Sequence, residues 1–187
     1  MEHTQNQIFE ATKPLNTGKL MTPEETAPET TPDGHYLVIN GRKWRASNPS
    51  IPPKLRQELV DELMSARRAV KEGKVDARKR VNDAKVALGE RGQPWWEDPE
   101  PKALSERTAA AIRALLSKRA GTSICPSDVA RIVCGPENSW RGYMNQVRQI
   151  TAEMAAQGEV IATQKGKPVE ADRVRGPIRI NLSNPEK

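Results

Sequence analysis

"GEVIATQKGKPVEADRVRGPIRINL", residues 158–182, decides the fold. Val160 to Gln164 form one strand-like run. In the second run, Gly176 to Leu182, Ile178, Ile180 and Leu182 alternate with Arg179 and Asn181, the period-two pattern of a half-buried strand. Between the runs, Gly166 and Pro168 suit a turn tip, and Lys165, Lys167, Arg173 and Arg175 supply cations. Glu170 and Asp172 lie among them, so residues 165–175 carry four positive against two negative charges, net +2.

Upstream, the apolar spacing changes from two to helical. "NSWRGYMNQVRQITAEMAAQGE" places Trp140, Met144, Val147, Thr151 and Met154 on one side of a helix that Gly158 ends. "SICPSDVARIVCG" predicts a short helix with Pro126 in its first turn, Asp128 near the exposed amides and Gly135 at its end. A further helix is expected from Ser105, with Ala109, Ile112, Leu115 and Leu116 as its stripe and Gly121 as its stop. Three helices followed by a β-hairpin is the element order of a winged-helix domain.

Residues 34–98 read as a separate module. "HYLVINGRKWRA" is a hairpin turning at Asn40 and Gly41, which pairs Ile39 with Arg42 and Leu37 with Trp44. Leu37, Ile39 and Trp44 then share the face expected to be buried. Leu55, Leu59, Leu63, Ala66 and Val70 form one helical stripe. Ala77, Val81, Ala84 and Leu88 form a second, and Gly73 interrupts the two, as in a helical hairpin or in one long helix broken there. Trp95 and Trp96, in "GQPWWED", are expected to cover this thin core, with a protein-docking role as the alternative.

Residues 1–33 carry two Lys against five Glu and one Asp, net −4, and end in the Thr, Pro and Glu-rich "MTPEETAPETTPDG". Such a composition buries too little to offset ordering entropy, so an acidic disordered tail is expected. Residues 99–104, bounded by prolines and acids, read as a linker, and 105–184 as the C-terminal domain. The fold class expected is α+β, mainly helical.

The chain's 187 residues are 36% apolar, include 15 Pro, and have a net charge of +6 and a pI near 9.5. The positive excess lies outside the tail and suits an anionic partner. No run approaches the roughly 18 apolar residues of a membrane span, and the first residues lack a secretory pattern, so a cytoplasmic protein is expected. Cys125 and Cys134 lie nine positions apart in one expected helix, about 13 Å, too far for a disulfide. His3 and His35 are remote from both, so neither a metal site nor a cofactor is expected. No phosphate loop or nucleophile elbow is present, which argues against an enzyme. Cys125 opens a helix, where a thiol can become reactive; a small buried side chain is the favoured alternative.

"SICPSDVARIV", the Trp and Arg opening the third helix, "AAQGEVIATQKGKPV" and "RGPIRINL" together resemble a small bacterial domain family of unknown function, with winged-helix-like members. The likeness covers about residues 108–182. "NGRKWRASNPSIP" and "VALGERGQPWWE", within residues 35–98, resemble a recurring uncharacterised bacterial module. Neither likeness implies an activity or a set of binding residues.

The residue types point to nucleic acid, duplex DNA before RNA. Arg141, Asn145 and Arg148, with Gln149 beside them, form a polar stripe on the third helix, and such side chains pair with guanine and adenine edges. Lys165, Lys167, Arg173 and Arg175 would contact phosphates. The alternative function is a protein-interaction adaptor that uses the winged helix and the tryptophan-bearing helical hairpin.

Overall fold

The structure is a computed structural model that describes residues 28–135 and 139–183. In chain order its elements are β1 (Glu29–Thr30), β2 (Tyr36–Ile39), β3 (Arg42–Arg45), α1 (Pro53–Lys71), α2 (Ala77–Ala87) and α3 (Pro101–Lys118). They continue as α4 (Pro126–Cys134), α5 (Ser139–Gly142), α6 (Met144–Ala156), β4 (Val160–Gln164), β5 (Lys167–Pro168) and β6 (Arg179–Leu182). The fold is α+β and mainly helical, with two small antiparallel sheets ordered β1-β2-β3 and β5-β4-β6. Among the described residues, no helix is long and apolar enough to cross a membrane.

The β2–β3 hairpin has the expected register, Ile39 opposite Arg42 and Leu37 opposite Trp44. Asn40 and Gly41 take positive φ angles of 51° and 73°, as a type I′ turn requires. Its apolar face is less covered than expected, with Ile39 43% and Trp44 47% exposed. Two short strands offer too little area to close over α1, and Leu37, Ile39 and Trp44 instead border a groove with Val60 and Met64.

The expected tail, 1–33, differs at its end, and residues 1–27 lie outside the described part. Glu29 and Thr30 pair with Val38 and Leu37. The "TPDG" that composition assigned to disorder is itself a turn. The Thr31 hydroxyl accepts from the Tyr36 amide at 3.0 Å, and the Asp33 carboxylate accepts from the His35 amide at 2.9 Å. The expected linker, 99–104, also differs: Pro101 opens α3, the position where its missing N–H costs nothing. The third helix is broken, α5 and α6 being separated by Tyr143, whose hydroxyl lies 3.0 Å from the Thr108 hydroxyl.

One hydrophobic core runs through both halves of the chain. Ile51, Leu59, Leu63 and Leu88 pack in the same cluster as Ile112, Leu115, Ile132, Val147 and Ile180. Buried polar groups are satisfied within it: Glu62, 2% exposed, accepts two bonds from Arg80 at 2.8 and 3.0 Å and one from the Ser117 hydroxyl at 2.8 Å. Arg113 joins α3 to the start of β4 by two bonds to Glu159, at 2.6 and 2.9 Å.

Candidate nucleic-acid interface

The C-terminal sheet begins with a tighter turn than the sequence indicates. Gln164 pairs with Lys167, so Lys165 (φ 51°) and Gly166 (φ 79°) alone make the β4–β5 turn. The chain then crosses residues 169–178 before returning as β6 beside β4. Ile124, between α3 and α4, forms a bridge to Ile180 with reciprocal bonds of 2.8 and 3.0 Å, extending the sheet past β6.

The connection carries Arg173 and Arg175 and is fixed from both sides. Arg148 on α6 donates Nε to the Ala171 carbonyl at 2.8 Å, Nη1 to Gly176 at 3.1 Å and Nη2 to Val174 at 2.6 Å. From β4, the Gln164 amide donates to the Arg175 and Pro177 carbonyls at 2.8 and 3.1 Å. Arg148 was expected to face a base, but its guanidinium binds the protein's own backbone. A planar fork of donors suits a loop that offers three carbonyls at once. Periodicity places Arg148 on the polar side of the helix; it does not show that a distant loop folds over that side.

The other expected residues of the stripe are available. Asn145 and Gln149 are exposed on α6, Gln146 joins them, and Glu153 follows one turn later, 3.3 Å from the Gln149 amide nitrogen. Arg141 sits on α5, before the break, with its guanidinium 4.5 Å from the Trp140 ring centroid. Arg131 of α4 lies 4.6 Å from the same centroid. Lys165, Lys167, Arg173 and Arg175 are exposed. Arg173 pairs with Glu170 at 2.8 Å, both well exposed, a contact that salt or a phosphate can replace at little cost. The structure thus brings together a helix face of amides and a rim of cations, with Arg148 as the brace between them.

Trp95 and Trp96 are half-buried in an aromatic cluster. Trp96 stacks on His35 at 3.9 Å, meets Trp95 edge-on at 5.1 Å, and has the Arg45 guanidinium 5.5 Å from its centroid. The Trp95 indole N–H donates to the Ala46 carbonyl at 3.0 Å. The loop before them is held by Arg45, donating to Gly92 at 2.8 Å, and by buried Arg107, donating to Gln93 at 2.9 Å. The Arg45 and Trp95 bonds tie "NGRKWRASNPSIP" to "VALGERGQPWWE". Cys125 is partly exposed and not deeply buried; its sulfur lies 2.9 Å from the Ser127 hydroxyl. No disulfide joins it to Cys134, whose thiol burial pushes up in pKa.

Residues 105–183 match the model of the family described as "Protein of unknown function (DUF3253)". The match overlies the stretch whose likeness pointed to a domain of unknown function. No curated protein matches the chain.

Proposed function

We propose, for a chain whose C-terminal residues match a family without an assigned activity, that it is a non-enzymatic nucleic-acid-binding protein with duplex DNA as its partner. The order α3, the Ile124 bridge, α4, α5, α6, then β4, β5 and β6 supports a winged-helix reading, with α6 as the helix that would enter a groove. The observation that carries the reading is the α6 surface. Asn145, Gln146 and Gln149 stand exposed there, with cations on the sheet connection braced to the same helix. Amide side chains suit adenine edges, and an α-helix fits the major groove of B-form DNA but not the narrow one of A-form RNA.

The test is fluorescence polarisation with labelled mixed-sequence DNA and RNA duplexes across a salt series. If Lys165, Lys167, Arg173 and Arg175 each neutralise a phosphate, log affinity falls against log salt with a slope of about −3 to −4. Lys165→Gln with Lys167→Gln flattens that slope, whereas Asn145→Ala with Gln149→Ala weakens a preferred sequence and leaves the slope unchanged. A slope that the lysine changes do not alter overturns the reading.

The protein-adaptor reading rests on different residues from Trp95 and Trp96. Ile39, Trp44 and Met64 are exposed, and all three line the groove between the hairpin and α1. It takes over if neither duplex binds even at low salt.

A further inference from the structure

A cavity of about 660 Å³ lies where the N-terminal half meets the C-terminal domain. Its walls come from the start of α1, the end of α3, the first turns of α4 and the first residue of β6, including Lys54, Glu58, Arg119, Asp128, Arg131 and Arg179. Four of these are cations and two are acids, and both acids are already engaged by one cation. Arg119 donates to Glu58 at 2.6 and 3.0 Å and to Asp128 at 2.8 Å. The Glu58 carboxylate beside it holds the Arg119 guanidinium charged well beyond the ordinary arginine range.

Among the described residues, the other three cations have only neutral partners or none. The Arg131 guanidinium rests on the Trp140 ring, Arg179 Nε donates to the Ser123 hydroxyl at 3.1 Å, and none of the three makes an ion pair among the described residues. Lys54 occupies the first turn of α1, where a positive charge opposes the helix dipole. Helix stability is poorly served by that placement, whereas an anion in the cavity would gain from it. The Cys125 thiol, 2.9 Å from the Ser127 hydroxyl at the start of α4, adds a neutral hydrogen-bonding group at the same wall.

We propose that this cavity is a phosphate-binding site formed jointly by the two halves of the chain. Guanidiniums and an ammonium around an accessible hollow match a tetrahedral phosphate, which accepts several charge-assisted bonds at once. The site goes beyond the α6 reading, since it uses none of that face's residues. The phosphate belongs either to a free phosphate ester or to a nucleic-acid backbone.

The full chain, labelled with nitrogen-15, is titrated with inorganic phosphate and then pyrophosphate, with ionic strength held constant by sodium chloride. The signals followed are the Arg131 Nε–H and the Cys125, Ser127 and Asp128 amides. Saturable shifts are expected, with about tenfold weaker binding in the Lys54→Gln, Arg179→Gln double variant, both positions lying outside the core. Shifts that do not saturate, or that saturate equally in the variant, overturn the site. An unchanged spectrum elsewhere in the variant shows that it is folded. If phosphate binds, duplex DNA affinity of the same variant identifies the source: a parallel loss assigns the backbone, and an unchanged affinity assigns a free ester. Failure of the α6 reading is separable, because Lys165→Gln and Lys167→Gln leave this titration unaffected.

Discussion

Replacing Arg148 separates a brace from a base reader. Its guanidinium makes three charge-assisted bonds, to Ala171, Val174 and Gly176, spanning six residues of the connection between β5 and β6. Each such bond contributes about 1–2 kcal/mol net. The Gly176 carbonyl lies where water can replace the lost donor, whereas Ala171 is 1% exposed and has no such recourse. Arg148→Ala should therefore cost about 2–4 kcal/mol, a fall of roughly 5–15 °C in Tm for a chain of this size. Arg148→Lys should recover less than half of that, since one ammonium on a flexible stem cannot span three carbonyls. Urea unfolding gives the stability, and amide hydrogen exchange across residues 169–178 reports the connection itself. DNA affinity should fall in parallel, through loosening of Arg173 and Arg175. Stability within about 0.5 kcal/mol of wild type, with protection unchanged, refutes the brace. DNA affinity lost under those conditions would return Arg148 to the role of a groove contact.

Gly89 has φ +79°, and a Cβ there would stand 3.0 Å from Trp95 Cδ1 and 3.2 Å from Trp95 Cβ, so Gly89→Ala should cost about 2–4 kcal/mol in urea unfolding. Trp95→Phe should cost about 1–3 kcal/mol by the same measurement, because the indole bond to the Ala46 carbonyl is lost. Two buried acids should respond in opposite ways. Glu62→Gln destabilises by about 2–4 kcal/mol, since Arg80 loses a two-bond carboxylate partner. Among the described residues, the one ion pair of Asp83 is with the Arg113 guanidinium at 3.9 Å, and burial raises its carboxyl above the ordinary value of 3.8 despite Arg113 and Lys79. With the folded value raised, the native state holds the proton longer than the unfolded chain, so this group's contribution to stability declines as pH rises from 3.8 through the raised value. Asp83→Asn should accordingly raise Tm at neutral pH, with the gain shrinking as pH approaches 3.8; a gain independent of pH would contradict this account.

What the sequence shows and what it hides follow from the range of the interactions. Helical spacing finds α1, α2, α4 and the core of α3 because backbone bonds span four residues and burial repeats with the turn. Asn40–Gly41 finds the first hairpin because positive φ is a local demand. Proline and acid content misplaces the start of α3, because Pro101 serves equally in a linker or in a first helical turn, and only packing against α2 decides. The candidate sites depend on longer reach. Arg148 meets carbonyls 23 to 28 positions away, and Arg119 meets Glu58 at a separation of 61. Neither pairing leaves a periodic trace. A polar residue on an exposed helical phase has the same signature whether it faces solvent, a nucleic acid or its own chain. The cavity cations without an ion pair among the described residues, Lys54, Arg131 and Arg179, become visible only once Arg119 is seen to occupy both acids of their cavity. They come from three separated segments, two within the matched family region and one in the module before it. The cavity's charge is thus a property of the joined halves: removing Lys54 from its place on α1 would leave the acid-paired Arg119 with Arg131 and Arg179, and would take away the one ammonium of the lining.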